Sequence, residues 1–491
     1  MNKKIAAIVL VLVLVTSFAF GDKIGEVIST DIVTYIDGIE IPSFNFNSRT
    51  GIYVKDLEKA GFKVLWDSEK RRVDIISETI SKVPESIGKV TYSDEIVINI
   101  PKELIENELF ITDKKGNMIR NISIDKNINN IKLTKTYYLS LGDEFIINFI
   151  DGDNIIKRNF TVSSDITEQS FKNIYDLHDT KSVIIPANEA KGFSFPYRLS
   201  YITRGDAGSN LTIKDTRHEL YLTASNHGTD KSFEDMMSKS IDRSSFAADI
   251  SRQTDYNGFI MYAIFPRLRD AGGIYTHSLD RQTIFGTQKW LDSFDRGNLY
   301  RIDKQFKAMS VDAIEYLDKL SANIDKPMLV GFSASSDFVS RMNYLHPDLA
   351  KAVIINDAPT MPFTEHNGVK LKYPLGMADI SEITGKEFNK EKFIDTPQFW
   401  TTGSHDDNDG TYFNDGWGTY TLDYRHSERN AEGEDYRKAF GDNIIERREY
   451  IRELLKEKGF NNIQFHTYDV GHNIVDETLK DINKFLNMVI N

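Results

Sequence analysis

Hydrophobic and polar positions change rhythm along this chain, and each rhythm predicts a different kind of structure. Residues 5–15 are almost wholly apolar, behind Lys3 and Lys4 and ahead of Ala19-Phe20-Gly21. A positive start, an apolar centre and a small-x-small exit predict a secretory signal over residues 1–21. The competing reading, a retained membrane anchor, asks for a longer apolar run. Over 22–77, short apolar stretches alternate with turn residues. Residues 32–36 and 39–41 read as a hairpin about Asp37-Gly38, 54–60 as a short helix closed by Gly61, and 62–67 with 72–76 as a last hairpin. This is a small α+β domain. Residues 95–100, 108–112, 144–149 and 158–162 read as half-buried strands, with Asp151-Gly152 at a turn. They predict a β-sandwich over 78–164, and 165–180 reads as a linker.

From residue 181 the pattern becomes strands alternating with longer helices. The predicted strands are 198–202, 219–224, 258–264, 326–330, 351–355, 398–402 and 463–468, with long helical patterns at 301–320 and 444–458. That alternation predicts an α/β domain on a mostly parallel sheet over 181–491. The β-sandwich before it is read as immunoglobulin-like.

Composition narrows the chemistry. A net charge of −13 argues against a nucleic-acid partner. The chain has no cysteine, which removes disulfides, thiolate metal sites and a cysteine nucleophile. No second apolar run of spanning length follows the first, so the mature protein is expected to be secreted or at the cell surface.

The α/β domain is organised around residues 326–337. Met328-Leu329-Val330 reads as a buried strand, Gly331-Phe332-Ser333-Ala334-Ser335 as a sharp turn, and 337–345 as a helix. A serine on a strand–turn–helix is the setting of a nucleophile elbow, where only small residues fit two places before and after it. Gly331 and Ser335 meet that demand. The Ala334 amide opens the helix and would face charge developing beside Ser333. The alternative is a serine that merely caps the helix.

A hydroxyl nucleophile needs a base, and the base needs a partner that fixes its tautomer. Downstream, Asp406 follows the strand at 398–402, and His472 follows the strand at 463–468. Serine, acid and histidine therefore occur in the order of the α/β-hydrolase fold, each at a strand end. Asp407 competes with Asp406, and His405 and His466 compete with His472. Residues 406–410 also have the look of a calcium loop without the full spacing of one. We expect a solvated acidic turn there, and neither metal nor cofactor.

Two resemblances accompany these readings. Tyr35-Ile36-Asp37-Gly38, Gly51-Ile52-Tyr53-Val54 and the run from Gly61 to Asp67 resemble the small domain named after copper amine oxidases. That domain is often a stalk in exported proteins, which implies a spacer or attachment to the cell envelope. The unit holds no histidine or cysteine, so no copper chemistry is expected. Ala224 to Gly228, Phe265-Pro266-Arg267, Ile274 to Arg281 and Gly331 to Ser335 are similar to secreted bacterial α/β-hydrolases of the esterase and polyhydroxybutyrate-depolymerase-like kind. Ser335 departs from the glycine common at its place. The resemblance implies a small-molecule or polymeric ester as substrate and a Ser333–His472–Asp406 triad.

In that fold the loop after the third strand supplies a second oxyanion amide. Here it is read as 225–229, with Asn226, His227 and Gly228. His227 precedes the serine and so breaks the triad order; His277 faces either the pocket or a structural hydrogen bond. The aromatic stretch 411–442, with Tyr412, Phe413, Trp417, Tyr420 and Tyr424, reads equally as a lid or as packing. A serine peptidase of the same fold, and a non-catalytic surface-binding protein on a hydrolase scaffold, stand as alternatives to the ester hydrolase.

Overall fold

A computed structural model of the chain separates into two units, Met1–Ser164 and Asp165–Asn491. It describes segments between 27 and 163, and then 172–175, 180–202, 218–224, 236, 239–240, 245–253, 257–265, 276–285, 299–356, 360–409 and 431–490. The expected signal at 1–21 lies outside the described residues.

In the first unit, Thr34–Ile36 and Ile39–Ile41 pair antiparallel with Ile36 opposite Ile39, and the Asp37-Gly38 turn expected between them lies outside the described residues. Ser43–Phe46 pairs with Val27–Ser29 on one side and Arg49–Ile52 on the other. Val54–Ala60 winds as a 3₁₀ helix, and Phe62–Asp67 pairs with Arg72–Ser77. Ile41, Phe44, Ile52 and Leu57 are buried.

Two further sheets follow. One runs in the order Glu108–Asp113, Glu144–Asp151, Asn154–Ser163, Glu85–Thr91; the other runs Ser123–Asn127, Asn130–Thr134, Glu95–Asn99. Pairing is antiparallel except between Asn154–Ser163 and Glu85–Thr91. Period-2 burial marks the inward faces: Ile96, Ile98 and Ile100 are buried around exposed Val97, and Ile131, Leu133, Phe145 and Ile147 are fully enclosed. Ser123–Asn127 escaped the sequence reading because it is an edge strand with mostly exposed, polar residues.

The second unit is built on nine strands: β1 (Lys172–Tyr175), β2 (Thr180–Ile185), β3 (Tyr197–Ile202), β4 (His218–Ala224), β5 (Asn257–Ala263), β6 (Met328–Phe332), β7 (Ala352–Asn356), β8 (Gln398–Gly403) and β9 (Ile463–Tyr468). Their order in the sheet is 1-2-3-5-4-6-7-8-9. The pairs β1–β2, β2–β3 and β3–β5 are antiparallel, and every pair from β5 to β9 is parallel. The sheet is therefore mostly parallel. One expectation needs correcting: β1 lies inside the stretch read as a linker. It is a four-residue edge strand with a register break between Asn173 and Tyr175, too short to print an alternating pattern.

Strands β3, β4, β7 and β8 are buried at every residue, as a sheet covered on both faces requires. Helices α1 (Ser245–Gln253) and α6 (Asp476–Ile490) bring Ala247, Ile250, Ile482, Phe485 and Leu486 into one core with Tyr221, Ile260, Val330, Ile354 and Phe399. Burying each large aliphatic side chain contributes about 1.5–3 kcal/mol. Helices α2 (Ile302–Lys319) and α3 (Ala334–Leu345) meet through Phe306 and Phe338, whose ring centres lie 5.0 Å apart. Helices α4 (Ala431–Phe440) and α5 (Ile444–Glu457) precede β9. Among the described residues no helix is long and apolar enough to cross a membrane.

Candidate active site

The elbow forms because a buried strand runs straight into a helix with one residue between them. Ser333 stands between β6 and α3 at φ 56°, ψ −127°. This conformation costs about 1–3 kcal/mol for a non-glycine residue and persists only where its surroundings enforce it. Here they do. A Cβ on Gly331 would lie 2.3 Å from the Ser335 carbonyl oxygen and 2.6 Å from the Ser336 nitrogen, so the strand and the helix start approach too closely for any side chain. Ser333 makes no side-chain capping bond to α3, which leaves its hydroxyl uncommitted to the helix end. The first amides of a helix have no partner within it, so the Ala334 N–H is available at this turn.

The acid and the histidine are brought together by the continuation of the β8–β9 ladder beyond both strands. Ser404 N–H donates to the Tyr468 carbonyl at 2.8 Å, and His405 N–H to the Val470 carbonyl at 3.0 Å. A Cβ on Gly403 would lie 2.3 Å from the Gly471 oxygen and 2.4 Å from the Val470 oxygen. The two loops thus run backbone against backbone. Beyond them His472 Nδ1 lies 2.8 Å from Asp406 Oδ2, and the Asn408 N–H donates to Asp406 Oδ1 at 3.1 Å. Arg448 of α5 donates to the Asp406 carbonyl oxygen and sets its guanidinium 3.9 Å from Oδ2.

Asp406 is only 1% exposed. Burial alone would raise its pKa. The His472 hydrogen bond, the Asn408 amide and the charges of His472 and Arg448 outweigh burial, and the carboxyl lies below its ordinary value. An ionised Asp406 only accepts, so Nδ1 carries the proton and Nε2 is left as the basic nitrogen. The imidazole also packs on Phe332, ring centres 5.0 Å apart, immediately before Ser333. The acid–histidine pair and the elbow therefore share the carboxyl end of the parallel strands, where open α/β sheets assemble sites.

The rival residues go elsewhere. Asp407 is exposed. His405 is exposed and bonds Asp469 at 2.6 Å. His466 lies within β9, stacked 4.4 Å from Phe399, and burial lowers its pKa. His277 is buried in the 3₁₀ turn Thr276–Ser278. Asn226, His227 and Gly228 lie outside the described residues, as do 266–275 and 411–430. Among the described residues no group of three or more histidines, aspartates or glutamates is placed to hold a metal. In the acidic turn Asp406 bonds His472, and Asp409 lies 2.7 Å from Arg447 of α5.

The described part of the stretch 274–281 frames the elbow helix. The fully buried Arg341 of α3 donates to the Ser278 carbonyl and, at 3.1 Å, to Thr360. Asp280 accepts the Thr283 N–H at 2.9 Å, and Arg281 pairs with Asp379 at 2.6 Å. Sequence reasoning did not single out Arg341, Arg448 or Phe332. Arg448 reaches Asp406 and Phe332 packs on His472, while Arg341 braces the elbow helix against Ser278 and Thr360, and nothing in local spacing announces any of the three.

No family model matches this chain, and no curated protein does. Solved structures similar to it include a carboxylesterase from Mesorhizobium loti, 15% identical, covering 60% of this chain and 96% of that one at a TM-score of 0.31. A siderophore hydrolase from Aspergillus nidulans is 12% identical, with coverages of 65% and 99% and a TM-score of 0.34. An S-formylglutathione hydrolase from Agrobacterium tumefaciens is 9% identical, with coverages of 64% and 96% and a TM-score of 0.35. These neighbours are esterases and related hydrolases. At such identities and scores the likeness carries no argument about this chain's chemistry, which rests on its own geometry.

Proposed function

We propose that this chain is an exported serine hydrolase of the α/β-hydrolase fold that cleaves carboxylic esters through an acyl-enzyme. The observation that carries the reading is the 2.8 Å bond between His472 Nδ1 and buried Asp406, formed at the sheet end where Ser333 occupies a strained elbow. A merely structural serine, aspartate and histidine would have no need of this convergence.

In the proposed reaction His472 Nε2 takes the Ser333 hydroxyl proton as Oγ attacks the ester carbonyl. Asp406 holds the imidazole in the Nδ1–H tautomer and stabilises the imidazolium that forms. The Ala334 amide, at the positive end of α3, donates to the developing oxyanion, with a second amide from the 226–228 loop. His472 then returns the proton to the departing alkoxide. Water, activated by the same nitrogen, cleaves the acyl-enzyme and restores Ser333.

The modules in front we assign to attachment, at the envelope or on a polymeric ester. The two sheets between Glu85 and Ser163, with the last strand pairing parallel to the first, support an immunoglobulin-like sandwich there. The test is Ser333→Ala, assayed on an activated short-chain ester and by fluorophosphonate labelling. Loss of several orders of magnitude in rate, together with loss of label, is expected. Full activity in that variant sinks the proposal.

A further inference from the structure

We propose that Ser335 is a positioning residue of this site, an inference that rests on the reading of Ser333 as nucleophile. It begins with a gap in the sheet. The ladder between β4 and β6 extends only to Leu222 opposite Leu329, whereas β6 runs on to Phe332. Buried backbone groups beyond that point still need partners. At Phe332, the last residue of β6, the Ser335 hydroxyl supplies them.

The Ser335 hydroxyl accepts the Phe332 N–H at 2.8 Å and donates to the Phe332 carbonyl at 2.8 Å. A serine hydroxyl has one donor and two acceptor sites, so a single oxygen serves both ends of one residue. Next to it, the Ser336 hydroxyl donates to the Gly331 carbonyl at 2.8 Å and accepts the Asn356 N–H at 2.9 Å. It bridges the ends of β6 and β7. Both serines are buried.

These contacts bear on the chemistry because of where Phe332 sits. Its carbonyl is bonded to the nitrogen of Ser333, and its ring packs 5.0 Å from the imidazole of His472. Tying Phe332 to Ser335 closes a four-residue ring around Ser333 and Ala334. That ring holds Ser333 at φ 56° and steadies the wall behind the base. A glycine at 335 fits the sharp turn but has no hydroxyl to make either bond. The departure at this position thus replaces a permissive residue with one that restrains the elbow from both sides.

A residue that positions the nucleophile without touching substrate affects kcat more than KM. In the full chain, Ser335→Gly and Ser335→Ala are expected to lower kcat about 10-fold or more, since small misplacements of reacting groups are costly. KM should stay within about twofold, because uniform binding is untouched. Fluorophosphonate labelling of Ser333 should still reach one label per chain, at a rate reduced in step with kcat. Wild-type kcat in both variants overturns the inference. So does a loss of label per chain that follows loss of folded protein by circular dichroism, which would make Ser335 structural only. Ser333→Ala run alongside separates the two hypotheses. An active Ser333→Ala removes the functional reading itself, whereas an inactive one beside wild-type Ser335 variants removes only the positioning role.

Discussion

Replacing Gly403 with alanine perturbs the acid and base loops without altering any group that performs chemistry. The added Cβ would lie 2.3 Å from the Gly471 oxygen, 2.4 Å from the Val470 oxygen and 3.0 Å from the Gly471 carbonyl carbon. All three are backbone atoms, so no side chain can swing aside. Ordinary contact begins at 3.4 Å, so the two loops must part by about 1 Å. Asp406 lies three residues beyond Gly403 on one loop, and His472 directly follows Gly471 on the other. Their 2.8 Å bond then opens beyond hydrogen-bond reach. Misplacement of this size costs about 100-fold in rate, or roughly 2.7 kcal/mol of transition-state stabilisation. Overpacking should also lower stability by about 1–3 kcal/mol. The assay is kcat/KM on a soluble activated ester, normalised to competent sites by fluorophosphonate titration. Wild-type kcat/KM in folded Gly403→Ala would refute the argument that this backbone contact holds the acid and histidine together.

Asp303 provides a prediction about stability and pH. It is buried and receives a two-pronged bond from Arg301, at 2.8 and 2.7 Å, and a contact from His346 at 2.9 Å. Burial opposes the charge, but the Arg301 and His346 bonds prevail and bring its pKa down to about 2. A carboxyl depressed below its unfolded value of about 3.9 stabilises the fold above that pH, and the contribution fades as pH falls through the folded value. Asp303→Asn should therefore cost about 2 kcal/mol near pH 7 by urea unfolding. The gap from wild type should narrow between about pH 4 and 2, and a pH-independent gap would mean the cost is geometric. In the second unit, a fragment starting at Asp165 should hydrolyse a soluble ester as the full chain does. One starting at Lys181 loses β1 and bares the edge of β2, and should aggregate in light scattering. Equal solubility and activity of the two fragments would remove any role for β1.

The elbow was legible in the sequence because its demands are local. A buried strand shows as an apolar run, a helix shows as a period, and the collision between them leaves room only for small residues at 331 and 335. The mostly parallel sheet was legible for the same reason, since strands covered on both faces carry short apolar runs, such as Met328–Val330 and Ala352–Ile355, between helical patterns. Other strands were not, among them Asn130–Thr134 and Thr180–Ile185 inside their sheets and two short ones at edges. Lys172–Tyr175 and Ser123–Asn127 take their conformation from a neighbour's hydrogen bonds, and their side chains leave little trace of it.

The order of serine, aspartate and histidine, each at a strand end, belongs to the sequence alone. The choice between adjacent Asp406 and Asp407 does not, because a one-residue step decides which carboxylate is buried against His472 and which faces water. Likewise the exchange of β4 and β5 in the sheet depends on which strands meet. The placing of Arg448, 42 residues beyond Asp406, and of Arg341, 63 residues beyond Ser278, depends on long-range packing. Periodicity records which face of an element is buried. Only the closed tertiary structure decides which distant groups that burial brings within 3 Å of one another.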